Sequence, residues 1–188
     1  PVVAFRRREL RGEAGGAEDL FQLLPGEGRS VGAPRTADPR IAGVCFTGST
    51  EVAKLIEKQL AETAAPDAML IAETGGLNAM IVDSSALPEQ VVDDALASAF
   101  DSAGQRCSAL RVLFLQDDVA EPILEMLLGA ARELRIGDPL DYATDVGPVI
   151  DEEARRALEA HKTGMHMEAG LLLDLPLGPE HEHGTYVA

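Results

Sequence analysis

Residues 41–56 read IAGVCFTGSTEVAKLI, and this stretch decides the fold class. Its first part, residues 41–46, is a short apolar run with β-branched side chains, which predicts a strand. The small residues at 47–50 form a turn, after which apolar residues recur at helical spacing. We therefore expect a helix that Ser49 or Thr50 caps. A strand joined by a short turn to a helix is typical of α/β proteins.

The same alternation continues towards the end of the chain. The pattern predicts strands over 69–72, 78–82 and 110–115, and helices from Pro88, from Asp117 or Asp118, and over 151–167. Gly and Pro are dense between residues 12 and 39, so the opening 1–40 is expected to form loops around one short apolar element at 20–24. Strands that alternate with helices predict an α/β layered fold with a largely parallel sheet.

Composition excludes several classes of partner. The 188 residues carry 16 basic and 32 acidic side chains, a net charge of −16, which phosphate backbones and anionic membranes repel. Trp is absent, and no apolar run approaches the roughly 18 to 20 residues that span a bilayer. Two cysteines make no disulfide framework. We expect a soluble, cytoplasmic protein that binds neither nucleic acid nor membrane.

Cys107 is the first candidate for chemistry. It follows a small, Gly-containing loop, and Arg106 and Arg111 lie near it in sequence. A neighbouring cation favours the thiolate, which is the nucleophilic form of cysteine. Most loop cysteines are not nucleophiles, so position alone leaves an inert role open. Cys45 lies within an apolar run, so we expect it to be buried and unreactive.

Glu73 is the second candidate. It follows the strand predicted at 69–72, and the carboxyl ends of strands are where open α/β sheets bind ligands. A partly desolvated carboxylate in this position can act as a general base. From position alone, a solvated carboxylate at a turn is the commoner case.

The turn at 47–50 is the third candidate. A small-residue turn between a strand and a helix directs backbone N–H groups and the helix dipole at an anion such as a pyrophosphate. A single Gly48 is neither a dinucleotide fingerprint nor a P-loop, and packing alone can require it. The four histidines complete no ligand spacing, so no metal site is expected.

Three motifs together resemble the aldehyde dehydrogenase superfamily. They read FTGSTEV at 46–52, ETGG at 73–76 and GQRC at 104–107, and the interval from the Glu of ETGG to the Cys of GQRC also matches. Longer segments resemble the glutamate-semialdehyde dehydrogenase half of bifunctional proline utilization A proteins. These segments are QLLPG at 22–26, AETGGLNAMIVDS at 72–84, DSAGQRCSALR at 101–111, RIGDP at 135–139 and TDVGP at 144–148.

The resemblance implies a fold and a reaction. Residues 1–76, with an atypical part at 1–40, would form part of a Rossmann-type NAD-binding domain, and residues 77–188 part of an α/β catalytic domain. Cys107 would attack an aldehyde, NAD would accept a hydride, and Glu73 would activate the water that releases glutamate, the second step of proline catabolism. The implied cofactor contacts are Thr47, Gly48, Ser49 and Gly75, and the implied substrate contacts are Ser108 and Arg106.

The chain also departs from the family pattern. The upstream motif that supplies an oxyanion Asn contains a Trp, which this sequence lacks. Residues 1–4 resemble the strand before the family's cofactor-binding Lys, but Phe5 stands in the Lys position. We therefore expect little turnover from this chain alone, which would act as a homo-oligomer or with the remainder of a longer enzyme.

Two alternatives remain. One is a non-catalytic remnant that keeps the fold and acts only in assembly. The other is a different acyl transfer by the same thiol, which Glu73 counts against because thioester-forming relatives need no general base. The choice between NAD and NADP is also open.

Overall fold

The computed structural model describes residues 2–17, 19–63 and 67–188. The chain divides between Thr74 and Gly75 into two compact units. Among the described residues, no helix has both the length and the apolarity needed to cross a membrane.

The first unit is built around the predicted strand, turn and helix. Strand β1 (Gly43–Thr47) and strand β2 (Met69–Glu73) pair in parallel, with Thr47 opposite Glu73. The helix between them spans Thr50–Glu62, and the Ser49 side chain caps it by accepting a hydrogen bond from the Val52 N–H at 3.3 Å. The predicted strands and the predicted capping residue are confirmed here.

Residues 2–13 and 28–36 are helical, so the prediction of loops over 1–40 was wrong there and was confirmed at 14–17, 19–27 and 37–40, while the predicted element at 20–24 was wrong. Helix α1 spans Val2–Glu13, a π-helical turn covers Gly28–Gly32, and the short helix α2 covers Ala33–Thr36, while 20–24 holds no helix or strand. The helix over Thr50–Glu62 is accordingly α3.

Helix α1 also replaces the strand that residues 1–4 resemble, of which Pro1 lies outside the described residues. Its Arg, Leu and Glu residues favour helix, and Arg6 pairs with Glu9 at 3.1 Å one turn away. The helix propensity of these residues and the Arg6–Glu9 pair outweigh the effect of Gly and Pro, which are concentrated after Glu13.

The second unit repeats the parallel pairing. Strand β3 (Asn78–Val82) lies beside strand β4 (Leu110–Leu115), with Val82 opposite Leu115. Helices α4 (Pro88–Phe100) and α5 (Asp117–Arg132) follow the two strands, so the predicted elements are confirmed. The core comprises buried Val82, Val91, Val92 and Ile123, with Met80, Leu96, Leu113, Leu115 and Leu127 packed against them.

In both units alternate strand residues differ in burial. In β3 and β4 the core receives Met80, Val82, Leu113 and Leu115, while the intervening Ile81 stays 82% exposed. In β1, Val44 and Phe46 are half-buried and Cys45 is exposed, opposite the exposed Ile71. The prediction that Cys45 is buried was therefore wrong, because nothing in the described part of the chain covers that face of the two-stranded sheet.

Helix α6 (Glu152–Glu168) begins where the sequence predicts. Asp151 caps it by accepting a hydrogen bond from the Ala154 N–H at 2.8 Å. In the first turn Glu152 accepts two hydrogen bonds of 2.7 Å from Arg155 and one of 3.1 Å from Arg156. The bonds from Arg155 contribute most to lowering the pKa of Glu152 from its ordinary 4.5 to about 2.

The segment after α6 returns to the middle of the second unit. The Val149 N–H donates to the Thr185 carbonyl oxygen at 3.0 Å, and the Thr185 hydroxyl donates back to the Val149 carbonyl oxygen. Nδ1 of His181 lies 3.0 Å from the Gly178 backbone nitrogen, and Nε2 lies 2.9 Å from the Ile136 carbonyl oxygen. These bonds anchor the stretch around Val149.

Truncation of Ile123, which is 0% exposed, tests the core of the second unit. We expect Ile123→Ala to lower the free energy of unfolding by about 2–5 kcal/mol, because it removes buried methyl groups and leaves a cavity. Ile150, which is 83% exposed, offers the same substitution outside the core, with an expected change within about 0.5 kcal/mol. Urea unfolding measures both, and equal losses in the two variants would contradict this core.

Arg155→Gln tests the charge pair at the start of α6. Without the bidentate partner we expect the pKa of Glu152 to rise towards 4.5, and to rise less in Arg156→Gln, which removes one weaker bond. The carboxylate stabilises the native helix fully above pH 4.5, and this contribution is lost as pH falls through about 2. Titration of the Glu152 carboxyl carbon by NMR measures both pKa shifts. A larger shift in Arg156→Gln would show that Arg156, and not Arg155, contributes most to the low pKa of Glu152.

Candidate active site

Cys107 lies in the loop that joins α4 to β4. A 3₁₀ turn, Asp101–Gly104, follows α4 directly, and the strand begins at Leu110. Cys107 and the neighbouring Ser108 are exposed, and Cys107 is a free thiol, whereas Ala109 is 0% exposed. The thiol is therefore presented to solvent from a backbone that is anchored two residues later.

The backbone before Cys107 is strained. Ser102, Ala103 and Gly104 have φ angles of 57°, 54° and 67°, the left-handed region that residues other than glycine rarely adopt. At the non-glycine residues Ser102 and Ala103 this conformation costs about 1–3 kcal/mol each and persists only where surrounding contacts hold it. At Gly104 a Cβ would also come within 2.8 Å of the Ala99 carbonyl oxygen, so both conformation and space require glycine.

Two arginines hold this loop through backbone carbonyls. Nη2 of Arg106 donates to the Ala97 and Ser98 carbonyl oxygens at 2.9 and 3.1 Å, in the last turn of α4, where the Ala97 oxygen also accepts the Asp101 N–H. Nη2 of Arg111 donates to the Gly104 carbonyl oxygen at 2.6 Å. The two cations that lie near Cys107 in sequence thus support the loop, and a substrate contact by Arg106 stays a prediction.

Two amide side chains complete the support, and neither was predicted from the sequence. Nδ2 of Asn78 donates to the Cys107 and Ala109 carbonyl oxygens at 2.7 and 3.0 Å. Nε2 of Gln105 donates to the Ser102 carbonyl oxygen at 3.0 Å, and its Oε1 accepts from the Ile150 N–H at 2.7 Å. The sequence feature that could have indicated Asn78 is its amide side chain at the first position of an otherwise apolar strand, NAMIV.

In the first unit the turn after β1 leads into α3. The Gly48 N–H donates to the Glu73 carbonyl oxygen at 3.1 Å, which extends the β1–β2 ladder by one bond. A Cβ at Gly48 would lie 2.5 Å from the Phe46 ring, so this ring would have to shift to admit any other residue. Glu73 is the last residue of β2 and is exposed.

The start of α3 holds an anionic oxygen. The backbone N–H of Glu51 and the hydroxyl of Ser49 hydrogen-bond the Glu51 carboxylate and lower its pKa. These donors, together with the positive end of the helix dipole, have the chemistry that a phosphate oxygen requires. Donors of this kind at the start of a helix suit a pyrophosphate group.

The predicted site residues form two groups, one in each unit. The exposed Thr47, Gly48, Ser49 and Glu73 lie at the carboxyl ends of β1 and β2. The second unit contains Gly75, Arg106, Cys107 and Ser108, all exposed, with the last three in one loop.

Comparison with known proteins identifies the family. The model of the aldehyde dehydrogenase family matches residues 1–188. The chain belongs to the aldehyde dehydrogenase family. The predicted membership and the predicted α/β fold are thereby confirmed.

Individual relatives narrow the comparison. The chain is 51% identical over 195 residues to "Bifunctional protein PutA" of Klebsiella aerogenes, covering 100% of this chain and 15% of the relative. It is 36% identical over 157 residues to "1-pyrroline-5-carboxylate dehydrogenase" of Geobacillus thermodenitrificans, covering 82% and 30%. Betaine aldehyde dehydrogenase of Staphylococcus aureus, solved in complex with NAD+, matches with a TM-score of 0.87 and 28% identity, covering 96% and 36%. This chain thus spans a minor part of each relative's length.

Substitution of Gln105 tests its bond to Ile150. We expect Gln105→Ala to speed amide hydrogen exchange at Ile150 because the N–H loses its acceptor, whereas Gln105→Glu keeps an acceptor oxygen and keeps the protection. Exchange followed by NMR measures this, with the Val149 amide, bound to Thr185, as an internal control that neither variant alters. Unchanged exchange at Ile150 in Gln105→Ala would show that other contacts protect this amide.

Proposed function

We propose that this chain carries the nucleophile and part of the cofactor site of an NAD-dependent dehydrogenase that oxidises L-glutamate γ-semialdehyde to glutamate. The observation that carries the proposal is the exposed Cys107 thiol on a strained loop that four side chains hold, in a chain of this family. A surface cysteine with no function would not need that support.

The first half of the reaction belongs to Cys107. Its thiolate attacks the aldehyde carbon, a C–S bond forms, and the carbonyl oxygen becomes an oxyanion that the Cys107 backbone N–H stabilises. When bound, NAD supplies the acceptor for the hydride that leaves this carbon. The substrate is then held on Cys107 as a thioester.

The second half belongs to Glu73. Its carboxylate takes a proton from a water molecule, whose oxygen attacks the thioester carbon. The C–S bond breaks, the thiolate of Cys107 is restored, and the carboxylic acid product ionises. The assignment is supported by the exposed position of Glu73 at the end of β2, where open α/β sheets bind ligands.

The substrate assignment rests on the relatives and on Ser108. One relative is named a 1-pyrroline-5-carboxylate dehydrogenase, and another is the bifunctional PutA protein. The exposed Ser108 hydroxyl adjoins the nucleophile and can donate to the carboxylate of a semialdehyde. Arg106 adds positive charge to the same loop, although two backbone carbonyls already engage one of its nitrogens. Glutamate formation would place the enzyme in proline catabolism.

The cofactor would use the first unit. Ser49 would contact the pyrophosphate at the start of α3, with Thr47 and Gly48 shaping the turn and Gly75 allowing close backbone approach. The fit is supported by the donors that already hold the Glu51 carboxylate there and by the NAD+ complex of the Staphylococcus aureus relative. Because this chain covers 15% of the PutA relative, we propose that further protein completes the site. We also propose a cytoplasmic location, because the two free thiols suit a reducing compartment.

The alkylation rates of the two cysteines test the proposal. Both thiols are exposed, so Cys45 is a reference for exposure alone. We expect iodoacetamide to modify Cys107 several-fold faster than Cys45 at neutral pH, and added NAD to change only the Cys107 rate. Peptide mass spectrometry at timed intervals gives both rates, with Cys107→Ser and Cys45→Ser confirming the peptide assignments. If Cys107 and Cys45 are alkylated at equal rates and NAD changes neither rate, a non-catalytic remnant is favoured.

A further inference from the structure

We propose that Asn78 is a positioning residue that aims the Cys107 nucleophile. The inference rests on the proposed function, in which this thiol attacks the aldehyde. It concerns a side chain that touches neither the thiol nor any predicted substrate contact, and that acts through the backbone of Cys107.

The geometry is a double clamp from one nitrogen. Nδ2 of Asn78 donates to the carbonyl oxygens of Cys107 and Ala109, at 2.7 and 3.0 Å. These two carbonyls lie on either side of Ser108. Because the peptide unit is planar, fixing the Cys107 carbonyl also fixes the Ser108 N–H and limits ψ at Cys107.

The clamp is attached to a rigid element. Asn78 is the first residue of β3, and its backbone pairs with Leu110, the first residue of β4, before the register shifts at Ala79. The side chain therefore reaches back from the sheet to the loop residues immediately before β4. A residue on a strand holds a neighbouring group with more precision than a residue on another loop.

The other supports act further from the thiol. Arg106 and Arg111 hold the end of α4 and the Gly104 carbonyl, and Gln105 bridges Ser102 and Ile150. Within the described ranges, Asn78 is the residue whose side chain hydrogen-bonds Cys107 itself.

The chemistry of the clamp requires an amide. Two carbonyl oxygens need two donors, which the NH₂ group of Asn supplies from a single atom. Alanine supplies none and serine supplies one. Aspartate would place an anionic acceptor against two carbonyl oxygens, so the isosteric variant is the most disruptive for the clamp.

The ratio of the Cys107 and Cys45 alkylation rates tests the proposal in the full chain. We expect Asn78→Ala to lower this ratio about tenfold and Asn78→Asp to lower it further, in both cases by less than the roughly 100-fold that 1 Å of misplacement can cost a reaction. Asn78→Ser, with one donor, is expected between them and the wild type. Gln90→Glu is the matched control, because it makes the same amide-to-carboxylate change on the exposed surface of α4.

A second measurement separates aiming from stability. Amide hydrogen exchange at Val92 and Ile123, in the core of the second unit, reports how often that unit opens. An unchanged ratio in Asn78→Ala would overturn the proposal, whether or not core protection falls. A lowered ratio with intact core protection supports it. A ratio near one in the wild type would refute the proposed function before any variant is made, and with it the role of Asn78.

Discussion

The structure around Cys107 depends on a backbone that must be held in an unfavourable conformation. Three successive left-handed residues turn the chain out of α4, and two of them are not glycine. The side chains of Asn78, Gln105 and Arg111 donate to backbone carbonyls of the loop, and Arg106 ties the loop to carbonyls at the end of α4. Side chains from a strand, the loop itself and the next strand therefore offset a strain that local sequence alone would release.

The sheets impose a second constraint. Each unit pairs two parallel strands, and each leaves alternate apolar residues exposed, such as Ile71 in one and Ile81 in the other. Two-stranded sheets are seldom stable without a packed helix, and here α4 and α5 supply that packing in the second unit through Val92 and Ile123. Burial thus alternates along each strand, because successive side chains point to opposite faces of the sheet. For that reason Cys45, inside an apolar run, is exposed.

The predictable part of the fold was the part encoded locally. From residue 41 onward, apolar spacing, Ser49 and Pro88 placed strands and helices close to their observed bounds. The opening 1–40 failed because its glycines and prolines were weighed more heavily than the Arg and Glu pairs of α1. The supports of the Cys107 loop could not be found this way, since Asn78 and Cys107 are 29 positions apart and Gln105 and Ile150 are 45 apart. Periodicity carries no information about which carbonyl a distant amide will meet.

The four residues of the ETGG motif are adjacent in sequence, but they are divided between the two units. Its Glu73 ends β2 in the first unit, whereas its first glycine, Gly75, opens the second. The proposed general base and the proposed nucleophile therefore lie in different units, and each is held by its own unit. Pairing with Thr47 across β1 and β2 fixes the backbone of Glu73, and the clamp from Asn78 fixes that of Cys107. The contacts that hold Glu73 and the contacts that hold Cys107 thus each lie within one unit. A substitution of Asn78 is therefore expected to leave the backbone of Glu73 unchanged.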